Sequence, residues 1–141
     1  MKIAIGSDHA GFELKEQVIA YLKSKNINVS DKGCYSAERA DYPDYGHAVA
    51  NDVLTNQILG IVICGSGNGI NMSVNKHKGI RGALCWNAEI AALARQHNDA
   101  NVMALPARYI NIEEAKKCVD AFIAEKFEGG RHHDRVLKID L

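Results

Sequence analysis

Residues 58–76 read ILGIVICGSGNGINMSVNK: an unbroken apolar run, a loop with glycine at alternate positions, then a helix-like segment. Ile58 to Cys64 contains no polar residue, so a strand built from it must be covered on both faces. That is the mark of a central strand in a parallel sheet. Ile3-Ala4-Ile5, Gly82 to Trp86 and Val102 to Leu105 are shorter runs of the same kind, and Asn28-Val29-Ser30-Asp31 is a weaker one.

Helical spacing fills the intervals. Leu14, Val18, Tyr21 and Leu22 form an i, i+4, i+7, i+8 stripe between Phe12 and Lys25. Pro43 suits the first turn of a helix running to about Thr55, with Val49, Val53 and Leu54 on its apolar face. Asn87 is placed to cap a helix of small residues (Ala88, Ala91, Ala92, Ala94). Asn111 and Glu114 have capping-box spacing ahead of Ala115, Cys118, Val119, Phe122 and Ile123. Five strands, each followed by a helix, predict an open, five-stranded parallel sheet in a three-layer α/β/α sandwich, residues 1–141 forming one domain. The tail from about residue 128 to 141 contains a glycine pair expected to end the last helix. Its basic cluster has little local core to join, so the tail either moves freely or docks on a neighbouring subunit.

Composition narrows the function classes. Lys+Arg and Asp+Glu both total 17, so no global field attracts nucleic acid or anionic lipid. No run approaches a membrane span or a signal peptide's apolar region. The four cysteines are scattered without a CxxC pair, the pattern expected of reduced thiols in the cytoplasm. The six histidines show neither HxH nor HExxH spacing, so the sequence offers no metal motif.

In open α/β sheets, ligands bind beyond the carboxyl ends of the strands. Ser7-Asp8-His9, Cys64 to Gly69, and Trp86-Asn87 occupy such positions, and Asp41-Tyr42-Pro43-Asp44 can face the same rim. The glycine loop is not a dinucleotide fingerprint, because Ile70 stands where GxGxxG needs glycine, and no Gly-Lys-Ser/Thr triplet marks a P-loop. Backbone N–H groups from Gly65 to Ile70 at a helix start stabilise negative charge, either a bound phosphate or an oxyanion formed during reaction. Cys64 adjoins them. A free thiol titrates near pH ~8.5, and a helix N-terminus favours its thiolate. Such a base can take a proton from carbon beside a carbonyl. His97 ends a helix, where its charge also simply complements the dipole. Arg131 and Arg135 are either a solvated pair or a bidentate phosphate grip.

The motifs IGSDHAGF, DYPDYG, CGSGNGI, NKHKGIRGAL, HNDANVMAL and GGRH with Arg135 beyond it follow one another in a distinctive order. In that order and spacing the whole chain resembles the ribose-5-phosphate isomerase B family, which also contains galactose-6-phosphate and allose-6-phosphate isomerases. The resemblance implies a Rossmann-like sandwich and an aldose–ketose isomerase acting on a sugar phosphate. It also implies a homodimer or dimer of dimers with active sites shared between subunits, and no metal or nucleotide cofactor. It assigns Cys64 as the base, and the amides of Gly65, Ser66, Gly67, Asn68, Gly69 and Ile70 as holders of the enediolate. Ser66 stands where many relatives have threonine. Asp8, Tyr42 and Asn98 would surround the sugar. His97, supplied by the neighbouring subunit, would open the ring. His9, Arg131 and Arg135, joined by Arg108, would hold the phosphate.

Some relatives lack the cysteine and carry a glutamate directly after GSGNG as their base. Here that place is Ile70, which leaves Cys64 as the base the motif offers. Ribose 5-phosphate is the expected substrate. A six-carbon sugar phosphate and a non-catalytic sugar-phosphate sensor are the alternatives.

Overall fold

The structure, a computed structural model, describes residues 1–141. Five strands form one sheet: β1 Lys2–Ser7, β2 Asn28–Asp31, β3 Leu59–Cys64, β4 Gly82–Leu84 and β5 Val102–Pro106. All pair in parallel in the order β2-β1-β3-β5-β4, with Ile5 opposite Ile61 and Cys64 opposite Pro106. Helices α1 Phe12–Ser24, α2 Tyr42–Asn56, α3 Asn68–Val74, α4 Ala88–Asn98 and α5 Ile112–Ala124 follow the strands in turn, and α6 Arg131–Leu137 closes the chain. The expected three-layer α/β/α, Rossmann-like arrangement is what forms.

The two cores explain the continuous apolar strands. Ile3, Ile5, Ile61, Ile63, Met103 and Leu105 point to one face, against Leu14, Val18 and Leu22 of α1, Ala91 of α4 and Val119 and Phe122 of α5. Their strand neighbours Ala4, Val62, Cys64, Val102 and Ala104 point to the other, against Val49 and Val53 of α2 and Ile70 and Val74 of α3. Successive side chains alternate across a strand, so a strand covered on both sides must be apolar throughout. Lys15 is the exception inside: its side chain is fully buried, with Nζ 2.9 Å from Asp31 Oδ1 and 2.9 Å from Glu16 Oε1. Burial opposes its charge, but the hydrogen bonds it donates to Asp31 and Glu16 outweigh that and raise its pKa.

Local signals mostly match their elements. Asn87 Oδ1 accepts from the Ile90 amide at 2.9 Å, capping α4, and Asn111 Oδ1 accepts from the Glu114 amide at 2.8 Å, capping α5. The reciprocal bond of a capping box is replaced. Glu114 Oε1 accepts from the Ala88 amide at 3.1 Å, because packing of α5 on α4 brings an orphan N–H of α4 within reach.

The end of the chain differs from expectation. Helix α5 stops at Ala124, where Glu125 turns extended, and Gly129 and Gly130 lead into α6 instead of ending α5. The intervening segment lies along α4. Gln96 Nε2 donates to Glu125 Oε2 at 2.7 Å, and the Glu128 amide donates to the Gln96 carbonyl at 3.0 Å. His132 is the buried residue of α6, and Asp140 accepts from the Gly79 amide at 3.1 Å. These contacts order the tail on its own chain while leaving Arg131 and Arg135 exposed. No helix is long and apolar enough to cross a membrane.

Candidate active site

The carboxyl ends of β1, β3 and β5 and the start of α2 surround a cavity of about 350 Å³. Asp8, immediately after β1, is 7% exposed. Its Oδ1 accepts from the Gly11 amide at 3.1 Å, fixing a single 3₁₀ turn, while its own amide donates to the Ile63 carbonyl at 3.3 Å. The second bond draws the turn against the end of β3. His9, on that turn, has Nδ1 3.1 Å from both the amide nitrogen and the carbonyl oxygen of Ala40. The Ala40 backbone thus holds Nδ1 in either tautomer, and Nε2 has no partner within the chain.

Cys64 ends β3 with 4% exposure, on the α2/α3 side of the sheet. Gly65 follows, and its carbonyl accepts from the Arg108 amide at 3.0 Å. The Arg108 side chain lies against this glycine: a Cβ there would sit 3.1 Å from Nη1. Tyr42 covers Gly69 in the same way, its Cζ only 2.5 Å from where a Cβ would be. A side chain at position 69 would force the Tyr42 ring to move, whereas one at position 65 would displace the Arg108 head group only slightly. No carboxylate of the chain pairs with Arg108.

Gly67, with φ 78°, starts α3, and the Asn68 amide donates to Ser66 Oγ at 3.3 Å. The amides of Gly69 and Ile70, in the first helical turn, have no intrahelical acceptor. Ile70's side chain is fully buried beside Val62, Cys64 and Val74. The position of the alternative carboxylate base is thus occupied by hydrocarbon packed into the core.

The remaining candidates lie elsewhere. None of His97, Asn98, Arg131 and Arg135 lines this cavity. Asn98, at the end of α4, faces a smaller cleft of about 220 Å³ with Asn75, Ala83 and Ile139. His97 stacks on His132 of α6, ring centroids 4.2 Å apart and planes 12° from parallel. Burial, then the charge of His97 and Arg131, pushes the His132 imidazole below its ordinary pKa, against the pull of Glu128. Arg131 and Arg135 project from α6 without carboxylate partners. The sequence reading did not single out His132, Glu128 or the Ala40 backbone. Their only sequence signal, the four-residue interval between Glu128 and His132, carries no weight without knowing that α6 lies on α4.

The other cysteines differ from Cys64. Cys85 and Cys118 are fully buried, and burial pushes both thiols up to about 12, with lesser pushes from Cys118 on Cys85 and from Glu114 on Cys118. Cys34 Sγ donates to the Ser36 carbonyl at 3.2 Å, away from the cavity. A larger cavity of about 430 Å³ opens at the opposite edge of the sheet, beyond the amino ends of β3, β4 and β5. Its Arg81 and Arg95 share the single carboxylate of Asp99, at 3.2 Å each.

The sequence pattern of the Ribose/Galactose Isomerase family matches residues 3–139. The chain is 47% identical to ribose-5-phosphate isomerase B of Escherichia coli over 136 residues, 96% of this chain and 91% of that protein. Its fold superposes with a TM-score of 0.97 on a ribose 5-phosphate isomerase from Thermotoga maritima, 51% identical, covering 99% of this chain and 97% of the other. A Mycoplasma genitalium ribose-5-phosphate isomerase B, solved with bound ribulose-5-phosphate, gives a TM-score of 0.93 at 46% identity, over 98% and 93% of the two chains. Agreement of sequence and backbone along essentially the whole length leads to one conclusion: the chain belongs to the ribose/galactose isomerase family.

Proposed function

We propose that the protein interconverts D-ribose 5-phosphate and D-ribulose 5-phosphate, a step of the pentose phosphate pathway in the cytoplasm. The observation that carries this reading is Cys64 on the wall of a cavity with the Gly65–Gly69 loop, His9 and Arg108. The Cys64 thiolate takes the proton from carbon 2 of the open-chain aldose. The electron pair moves onto the carbonyl oxygen at carbon 1, giving an enediolate. Amides of the loop, those of Gly69 and Ile70 foremost, are the donors for that oxyanion. Return of the proton to carbon 1, with transfer of the hydroxyl proton at carbon 2 to the oxygen on carbon 1, gives the ketose. Nothing is oxidised overall, and the residues in place need no cofactor for these steps.

One chain supplies only part of this. Its cavity holds a base and anion partners, whereas His97, Asn98, Arg131 and Arg135 are presented outward on α4 and α6. We assign His97 to ring opening, Asn98 to the sugar, and Arg131 and Arg135 to the phosphate, in the cavity of a neighbouring subunit. His9 and Arg108 grip the same phosphate from within, and Asp8 and Tyr42 flank the sugar. The working unit is then a homodimer or dimer of dimers built from single-domain chains, residues 1–141, whose tails from about residue 128 reach across.

Replacement of Cys64 by alanine tests the reading. General-base catalysis contributes about 10²–10⁴-fold, or roughly 3–5 kcal/mol of barrier. The variant should lose that much turnover on ribose 5-phosphate, and the exchange of solvent deuterium into the sugar, while still binding the sugar phosphate. Turnover within tenfold of the parent removes Cys64 as the base. Comparison of kcat/KM on ribose, allose and galactose phosphates separates five- from six-carbon preference.

A further inference from the structure

His97, Glu128 and His132 come from the end of α4, the segment after α5, and α6, yet their ligand atoms all lie within 4.8 Å of one another. His97 Nε2 is 3.7 Å and His132 Nε2 3.8 Å from the same oxygen, Glu128 Oε1. Two imidazoles and one carboxylate facing a common point form the donor set of a borderline-soft divalent ion with an open fourth position. Calcium and magnesium are disfavoured, because they select oxygen ligands.

The distances are close to what such an ion needs. Metal–nitrogen bonds of about 2.0–2.1 Å place tetrahedral ligand atoms roughly 3.3 Å apart. Each His–Glu separation therefore contracts by only about half an ångström on binding. The stacked rings must also fan apart, because two parallel imidazoles cannot both aim a lone pair at one ion. Only one ring has the freedom to do so: the His97 side chain is 37% exposed, whereas that of His132 is 11% exposed. His132 is the fixed ligand, and His97 and the half-exposed Glu128, four residues before His132, swing in to complete the site.

We propose that His97, Glu128 and His132 bind one zinc-class divalent ion per chain, and that occupancy silences the enzyme by withdrawing His97 from ring opening. The second half rests on the function proposed above; the first does not. The ion is an inhibitor here and has no part in turnover. Sequence spacing conceals the site, because its ligands are separated by a strand and a helix and meet only where the tail lies on α4.

The test uses the full-length protein, titrated with Zn²⁺ by calorimetry and with Co²⁺ as a spectroscopic probe. One ion per chain is expected, with weak visible cobalt bands of nitrogen and oxygen ligation. Glu128→Gln and His132→Asn should each weaken binding by about tenfold or more. Glu128 is half exposed, so its variant keeps the fold even if that of buried His132 does not. Zinc should inhibit ribose 5-phosphate isomerisation with the midpoint found by calorimetry, and both variants should shift that midpoint upward together with the affinity. An intense thiolate-to-cobalt band, or affinity unchanged in Glu128→Gln, overturns the site. Full turnover with the site saturated overturns the silencing. A parent protein that does not isomerise the sugar at all defeats the functional reading, while the titration still decides the metal site.

Discussion

Gly67 is the position where a single methyl group is most informative. It starts α3 with φ 78° and ψ −15°, left-handed backbone that L side chains seldom adopt. A Cβ would fall 2.5 Å from Leu84 Cδ1, 3.2 Å from the Leu105 carbonyl carbon and 3.3 Å from its oxygen. The Leu84 methyl can move, but Leu105 is mid-sheet backbone and cannot. In Gly67→Ala the conformational penalty is about 1–2 kcal/mol and the overpacking about 1–3 kcal/mol, together roughly 2–5 kcal/mol. For a chain of this size that lowers Tm by roughly 6–15 °C. Gly129→Ala supplies the control: its φ is also positive, at 67°, but nothing lies within 4 Å of the added carbon. Only the conformational penalty remains there, about 1–2 kcal/mol, or roughly 3–6 °C. Thermal scans of both variants at equal chain concentration isolate the steric part as their difference. Displacement of the loop should also cut turnover of surviving Gly67→Ala protein by up to about a hundredfold, since misplacement of about an ångström at a reacting centre costs that much. A Tm loss no larger than that of Gly129→Ala refutes the reasoning.

Three further outcomes follow from named contacts. Burial opposes ionisation of Asp52, but the Ser30 hydroxyl at 2.7 Å, the Asn56 amide at 2.6 Å and Lys32 outweigh it and hold its pKa low. The resulting stability is present above the unfolded carboxylate value of about 3.9 and is lost as pH falls through the lower folded value. The deficit of Asp52→Asn in urea unfolding should therefore stay constant from neutral to mildly acidic pH and close below about pH 4; a deficit that closes as pH rises contradicts this. Alkylation by iodoacetamide near neutral pH should inactivate through Cys64, with ribose 5-phosphate protecting, and mass spectrometry should find Cys85 and Cys118 unmodified. Neither Cys64→Ala nor His97→Asn chains alone should turn over well. Random mixed dimers of the two should recover about one quarter of parental activity, because half the dimers carry one intact shared site. No recovery on mixing would place each site within one chain.

Much of this protein is local in origin and so legible along the chain. Strand and helix periodicities, the caps at Asn87 and Asn111, and the covered strand ending in Cys64 depend on neighbours a few residues away. A parallel sheet follows from them, because βαβ units with short crossovers leave little choice. The strand order is another matter. Placing β5 between β3 and β4 is settled by pairing between segments tens of residues apart, which no local pattern encodes. The site divides the same way. Asp8, His9, Cys64 and the glycine loop are strand ends, and a parallel sheet delivers its carboxyl ends to one edge. Only packing in three dimensions laid Arg108 on Gly65 and Tyr42 on Gly69, turned Ile70 into the core, and carried the tail onto α4 to stack His132 on His97. Those contacts join surfaces whose residues have no fixed sequence separation, so their energies exist only once the sheet has been assembled.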